Sequence, residues 1–435
     1  MLLNYRFSNF RSFRNEISLS MRAGSQRTLN ENLIRDNGKR IVPSTVIYGA
    51  NASGKSNIIM SLAIMREIIL SGTLESGSPD LNNLELYPFA HNDEEKPMFF
   101  EIEFKNKNKH FIYGFEVFCE VLKKGPRRIV SENLSVAAGK LHSVKLFERN
   151  QDKVIIRKDN KALELLGFNG KLIREFEKKI NTNLDSSELF LSRAFKSIIS
   201  HELAETVIDF FKNKLIVVSD FTLKKTNLTF SVKDMPEKDF LIWNRILDGF
   251  VKSADFGPQD VAFKSSKAES KESANMELVS IYHKKNKSIM IPADLMESRG
   301  TLKLLDFAIP FESIFTAGGV FVLDEFDATI HPELIKGIIA LFNDQKVNTH
   351  QAQLIFTTHN PIYLNNKIFR RDQIRFVEKD KETFESSIYT LADFGSVNVR
   401  NDQNYLINYF KGNYGALPFT DFSKLLRTKD GEKEE

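Results

Sequence analysis

Several features that mark other protein classes are scarce in this sequence of 435 residues. It contains one cysteine, Cys119, so no disulfide can form within the chain. The apolar run FEVFCEV around that residue favours a buried structural thiol over a reactive one. These observations exclude a disulfide-rich secreted scaffold and agree with a reducing compartment.

Neither charge sign dominates, and long apolar runs are missing. The 61 Lys and Arg residues are balanced by 57 Asp and Glu, and the net charge of +4 is low for a dedicated nucleic-acid binder. No stretch approaches the roughly 18 apolar residues of a membrane-spanning helix, and the N-terminus lacks the apolar core of a secretory signal. We therefore expect a cytoplasmic protein that has no membrane partner.

Hydrophobic periodicity predicts a chain of mixed α and β structure. The first 20 residues alternate between apolar and polar side chains, which indicates two edge strands and a turn. Ser44 to Tyr48 form a short apolar run before a glycine-bounded loop, and helical spacing follows from Asn57 to Leu70. Residues 98–136 alternate again and predict an antiparallel meander.

The next segments are less regular. Residues 161–214 show helical spacing with many charges, which predicts a helical insertion. A loop and then a helix are expected from Ser288 onward, before a buried strand. Polar composition predicts surface loops at 71–83 and 264–273 and a disordered charged tail at 428–435.

The strongest motif is G-x-x-x-x-G-K-[ST], between the apolar strand and the helix that this motif requires. Its glycines let successive backbone N–H groups face phosphates, while the Lys55 ammonium neutralises phosphate charge and the Ser56 hydroxyl ligates Mg²⁺. The sequence therefore predicts a P-loop that binds ATP with Mg²⁺. The residues assigned to nucleotide binding here are Gly49, Asn51, Ala52, Ser53, Gly54, Lys55, Ser56 and Asn57.

Two adjacent carboxylates follow a second apolar run, GVFVL. Asp324 and Glu325 would lie at the carboxyl end of this strand, where open α/β sheets bind their ligands. This is the pattern of a Walker B pair, in which Asp324 would hold Mg²⁺ and Glu325 would act as general base toward water.

A third apolar run, Gln353 to Thr357, ends at Thr358 and His359. A single histidine at a strand end is more often structural. Its spacing after the acid pair places it beside Glu325 in a parallel sheet, which favours a catalytic sensor of the γ-phosphate.

The sequence resembles the ABC-type ATPases of the SMC and RecF kind. The resemblance rests on the N-terminal NFRSF, the P-loop, the segment DEFDA running on to His331-Pro332, and the triplet TTH. It implies that Asp327 lies in the D-loop and that His359 is the switch histidine. The signature of that superfamily has its best counterpart in ESRGT, where Ser298 and Gly300 would reach the γ-phosphate held by another copy. ESRGT departs from the usual Leu-Ser-Gly-Gly, and the family's glutamine loop is not placed.

A narrower resemblance, over nearly the full length, is to the RloA/AbiLii-like AAA-type ATPases of bacterial defence operons. It rests on GANASGKSN, on LFLSRA from Leu189, ADFG from Ala254, ESRGT, RRDQIRFVEKD from Arg370, and YFKGNYGALP from Tyr409. Members look like ATPase subunits that act with a separate effector encoded beside them. The resemblance thus implies phage defence or abortive infection.

Together these observations predict an α/β fold, a P-loop NTPase of the ABC-ATPase type with an antiparallel β lobe and a helical insertion. We expect residues 1–150 and 216–420 to form the ATPase domain, 151–215 the insertion, and 421–435 a disordered tail.

Two functions remain open. In the first, a homodimer or higher homo-oligomer assembles around ATP and switches a toxin or nuclease from the same operon. In the second, the dimer clamps DNA during repair, as RecF-like proteins do. The phosphate contacts would then come from Arg127, Arg128, Lys171, Arg174, Lys178 and Lys179.

Overall fold

A computed structural model describes most of the chain. The described residues are 1–75, 86–120, 126–137, 143–168, 170–218, 228–231, 241–243, 245–253, 257–265, 273–284, 287–395, 399–400 and 403–418. Most of each predicted loop at 71–83 and 264–273 lies outside this part, as do the predicted tail and the start of ADFG at Ala254. No helix in the described ranges is long and apolar enough to cross a membrane.

The strands are numbered in chain order. They are β1 (Leu2–Ser8), β2 (Ile17–Ser20), β3 (Ile34–Asp36), β4 (Lys39–Ile41), β5 (Ser44–Gly49), β6 (Met98–Asn106), β7 (Lys109–Phe118), β8 (Arg128–Ala137), β9 (Ser143–Asn150), β10 (Lys153–Ile156), β11 (Leu215–Val218), β12 (Leu228–Ser231), β13 (Leu241–Trp243), β14 (Asp260–Ser265), β15 (Ser273–Lys284), β16 (Lys287–Pro292), β17 (Val320–Leu323), β18 (Gln353–Thr357), β19 (Ile374–Lys379) and β20 (Ser386–Thr390).

The helices are numbered in the same way. They are α1 (Lys55–Ser71), α2 (Asn160–Leu166), α3 (Gly170–Thr182), α4 (His201–Asp209), α5 (Arg245–Ser253), α6 (Ala293–Met296), α7 (Arg299–Ala317), α8 (Pro332–Asn343) and α9 (Tyr405–Phe410). Two π-helical segments, Leu191–Ile199 and Phe210–Lys214, flank α4. Short 3₁₀ turns lie at Asn30–Asn32, Pro361–Tyr363 and Arg371–Gln373.

The first sheet is antiparallel and has seven strands in the order β10-β9-β8-β7-β6-β1-β2. Strands β6, β7 and β8 form the meander that the alternating sequence predicts, and β6 buries every second side chain. The prediction of two edge strands at the N-terminus was half wrong. β2 lies at the edge, but β1 lies inside the sheet because β6 pairs with its free side.

The second sheet has six strands in the order β11-β17-β18-β5-β19-β20, and all are parallel except β20. Successive side chains of its central strands enter different cores. Ile47 packs with α1, the helical segments and the first sheet, whereas Val46 and Tyr48 pack with α7, α8 and α9. Burial on both faces explains why β5, β17 and β18 are continuous apolar runs.

A third, antiparallel sheet contains β12 to β16 and was not predicted. The segment expected to be a loop from Ser288 is β16, which pairs with β15 before α6 and α7 begin. The helical spacing over 161–214 is confirmed by α2, α3, α4 and the two π-helical segments.

Candidate functional site

The P-loop connects β5 to α1. Gly54 precedes the helix with a φ of 112°, a backbone conformation that residues with a Cβ rarely adopt. A Cβ at this position would lie 2.7 Å from the Ser386 Oγ and 2.8 Å from the Ser12 Oγ. Both the backbone and the surrounding side chains therefore require glycine here. Asn51, Ala52 and Ser56 are exposed, whereas Ser53 and Lys55 are buried.

Two distant serines hold the loop in place. The Ser386 hydroxyl donates a hydrogen bond to the Ser53 carbonyl at 2.6 Å, and the Ser386 N–H donates to the Ser12 carbonyl at 2.7 Å. The Asn57 amide donates to the Ser12 hydroxyl at 2.8 Å. The N-terminal NFRSF turn and the start of β20 thus support the loop from outside. Sequence reasoning missed Ser386, for which no motif gives a signal.

Lys55 points back into its own loop. Its ammonium donates to the Gly49 carbonyl at 2.8 Å and to the Ala50 carbonyl at 2.9 Å. Burial lowers the pKa of Lys55 to about 8, against the opposing effect of the nearby carboxylates of Asp324 and Glu325. A phosphate group would replace the two carbonyls as the partner of a desolvated ammonium, which is the environment a phosphate-binding lysine needs.

The two acids lie at the end of β17, and Thr357 at the end of the neighbouring β18 contacts both. Its hydroxyl donates to the Asp324 carboxylate and accepts from the Glu325 N–H, the latter at 2.8 Å. Asp324 is buried. Glu325 adopts a φ of 44°, and its side chain is 54% exposed. The backbone turn thus directs one carboxylate inward and leaves the other accessible to water.

His359 and Glu325 form a pair at the surface, at the carboxyl ends of β17 and β18. The His359 Nε2 lies 3.3 Å from the Glu325 Oε1. Both residues line a cavity of about 1950 Å³ together with the P-loop residues 49–53 and the hairpin residues 377–388. The structure therefore brings the P-loop, the exposed acid and the histidine to one cavity.

A buried lysine contacts the turn that follows β17, residues 324–329, which is called the acid turn below. The Lys303 ammonium, from the second turn of α7, donates to the Glu325 carbonyl at 2.9 Å and the Ala328 carbonyl at 3.0 Å. Burial lowers the pKa of Lys303, and the largest opposing effect on this pKa comes from the carboxylate of Asp327. The pKa of Asp327 is itself raised by burial, although a hydrogen bond from Thr358 opposes this shift. Sequence reasoning missed Lys303.

Ser298 and Gly300 lie at the N-terminus of α7. The Ser298 hydroxyl caps the helix by accepting from the Thr301 N–H at 3.2 Å. A Cβ on Gly300 would lie 2.4 Å from the Thr329 carbonyl oxygen, so the first turn of α7 abuts the end of the acid turn. Neither residue is among those that line the P-loop cavity of the same chain.

The residues at this edge fit a magnesium ion bound together with a nucleotide. In the ranges that the structure describes, no three His, Cys, Asp or Glu side chains converge as a metal cluster. Mg²⁺ is usually held by one or two protein oxygens together with substrate phosphates. Ser56 and Asp324 could supply those oxygens, and the ion would neutralise phosphate charge.

Comparison with known proteins agrees with this geometry. A family model described as "AAA domain, putative AbiEii toxin, Type IV TA system" matches residues 44–365. The match begins at β5 and extends past His359, so it includes the P-loop, the acid pair, α7 and the histidine. It covers more than half of the chain. A search of curated proteins found no match.

Proposed function

Because this chain belongs to the family of AAA domains described as putative AbiEii toxins of type IV TA systems, we propose that it hydrolyses ATP as an ABC-type switch. In this proposal two copies close around ATP, and hydrolysis releases them. The observation that carries the proposal is the meeting of the P-loop, Glu325 and His359 at one cavity, with Lys55 and Asp324 beside them.

Each residue has a role that follows from its position. The P-loop N–H groups and the Lys55 ammonium bind the phosphates of the substrate, and Ser56 and Asp324 would hold the magnesium ion. Glu325 is exposed and lies next to His359, so it can accept a proton from an attacking water molecule. His359 then stabilises the charge that develops on the γ-phosphoryl group.

A second copy of the chain is proposed because the signature residues do not line their own P-loop cavity. Ser298 and Gly300 lie at the N-terminus of α7, a helix of 19 residues. Such an end attracts anions through its free N–H groups and its dipole. If the helix of one protomer faces the P-loop of another, ATP joins the two copies.

We further propose that closure and release of the dimer control a separate effector, a toxin or nuclease from the same operon, in anti-phage defence. The description of the matching family, with its type IV toxin–antitoxin context, supports this role. An ATP-dependent change of assembly biases an effector only when the effector binds the open and closed states with different affinity.

The experiment that tests the proposal has two readouts. Purified protein is assayed for release of phosphate from ATP with Mg²⁺, and the Glu325→Gln protein is expressed with its neighbouring gene products and purified with ATP. We expect steady hydrolysis by the wild type and one stoichiometric partner on the variant. Absence of hydrolysis at any ATP concentration would contradict the enzymatic proposal.

DNA binding is the alternative outcome. If the protein is a DNA clamp, the Glu325→Gln protein with ATP binds duplex DNA, and its affinity falls steeply as salt is raised. If it controls an effector, DNA affinity is weak and does not depend on ATP.

A further inference from the structure

The contact between α7 and the acid turn assigns a role to a residue that no motif includes. We propose that Lys303 is a positioning residue, which holds Glu325 in its catalytic orientation and couples that orientation to α7. This inference rests on the proposed role of Glu325 as general base.

The acid turn has an unusual backbone that needs support. Glu325 and Thr329 have positive φ values, 44° and 75°, and neither is glycine. Such conformations are strained in residues other than glycine and persist only where surrounding contacts hold them. The turn must therefore be fixed by groups outside it.

Lys303 supplies one such contact. Its ammonium binds two carbonyls of the turn, those of Glu325 and Ala328, at 2.9 and 3.0 Å. Two residues, Phe326 and Asp327, lie between these carbonyls, so a single charged donor fixes both ends of the segment that carries the exposed carboxylate. Lys303 is 8% exposed, and it lies on α7 beside core residues such as Leu304 and Phe307.

The proposed signature residues lie on the same helix, one turn before Lys303. Gly300 is pressed against the Thr329 carbonyl, where a Cβ would lie 2.4 Å from the oxygen. Together with Lys303, this close contact attaches the N-terminal turns of α7 to residues 325–329. A displacement of α7, as when a second copy docks on Ser298, would then move the backbone of Glu325. Lys303 thus links the dimer contact to the catalytic base.

The test compares Lys303→Met, which keeps most of the apolar length of the side chain and removes its charge, with Lys303→Arg and with Lys336→Met. Lys336 is a lysine on α8 whose ammonium binds the Glu333 carboxylate at 2.7 Å. For Lys303→Met we expect kcat to fall about 10- to 100-fold, because the base is misplaced. The dissociation constant for ATP, measured with a non-hydrolysable analogue, should stay within about threefold. Lys303→Arg should recover part of kcat, and Lys336→Met should equal the wild type.

A double-mutant cycle distinguishes a role of Lys303 in positioning Glu325 from a general disturbance of the fold. If Lys303 acts through Glu325, Lys303→Met causes no further loss in the residual rate of ATP cleavage that single-turnover assays detect over hours in the Glu325→Gln background. An independent further loss in that background would overturn the proposal. So would a kcat within twofold of the wild type for Lys303→Met.

The proposed function and this inference fail in different ways. If the wild type does not hydrolyse ATP, both are wrong. If the wild type hydrolyses ATP, Glu325→Gln retains only a residual rate, and Lys303→Met is fully active, only the role of Lys303 is wrong. Should Lys303→Met fail to fold, Lys303→Gln is measured in the same cycle.

Discussion

The Thr357 hydroxyl accepts a hydrogen bond from the Glu325 N–H at 2.8 Å while it donates to the Asp324 carboxylate. One buried oxygen from β18 thereby fixes both acids at the end of β17. The strand pairing makes this contact possible, because Leu323 lies opposite Phe356 in the parallel register.

Thr357→Val removes both hydrogen bonds with little change in volume. The Glu325 N–H then loses its partner, which costs about 1–3 kcal/mol in the free energy of unfolding. We expect activity to fall about 10- to 100-fold, as when a group that orients a metal ligand is removed. The measurements are urea unfolding and steady-state ATP hydrolysis. Thr357→Ser keeps the hydroxyl and should retain both stability and activity. Thr316→Val, on the exposed face of α7, should change neither stability nor activity. Wild-type activity in Thr357→Val would contradict the assigned contact.

The pH dependence of ATP binding should follow Lys55. Its pKa in the ligand-free protein is lowered to about 8 by burial. Phosphate binding favours the charged ammonium, so affinity is at its maximum well below pH 8 and declines as the pH rises through that value. The decline approaches about tenfold per pH unit, since one proton must then be taken up with each ATP. Titration calorimetry between pH 6.5 and pH 9.5 measures it. Lys55→Ala should bind no ATP, and a flat profile in the wild type would refute the role of this amine.

Gly54→Ala tests the shape of the P-loop. Alanine at a φ of 112° is strained, and its Cβ would press on Ser386 and Ser12. We expect a loss of about 1–3 kcal/mol in the free energy of unfolding, together with the loss of ATP binding. The matched control is Gly337→Ala in α8, where a Cβ meets nothing within 4 Å. That variant should gain about 0.5–1 kcal/mol, because alanine is the better helix former. Equal stability changes in the two variants would contradict this account.

A mixing experiment tests the composite site. Lys55→Ala cannot bind ATP, and Ser298→Arg places a bulky side chain where the second copy would close on the phosphates. Each protein alone should be inactive. An equal mixture should regain about a quarter to a half of wild-type activity, because only mixed dimers contain an intact site, and each contains one out of two. No recovery after verified subunit exchange, or full activity of Ser298→Arg alone, would argue against a site shared between copies.

The sequence predicts the strands whose apolar runs lead directly into a recognisable motif. Strands β5, β17 and β18 are continuous apolar runs, and each ends in a motif, so both the elements and their functional ends are visible. The interior position of β1 is not visible, because it depends on pairing with β6, which lies far along the chain.

The supporting residues of the site were harder to predict for the same reason. Ser386 contacts the P-loop only after β19 and β20 have folded beside β5. Lys303 did give a signal: it falls on the same helix face as Phe307, Phe311 and Ile314, all of which are buried. A lysine on such a face must have polar partners, and these proved to be carbonyls of the acid turn.

The most direct test of the central claim is the assembly state of Glu325→Gln with ATP and Mg²⁺, measured by light scattering coupled to size-exclusion chromatography. The exposed Glu325 carboxylate activates water in this account, so its amide should permit binding and prevent cleavage. The predicted result is a stable dimer that retains uncleaved ATP, while the same protein without nucleotide, or with ADP, is monomeric. A monomer that holds ATP, or hydrolysis at the wild-type rate, would contradict the account.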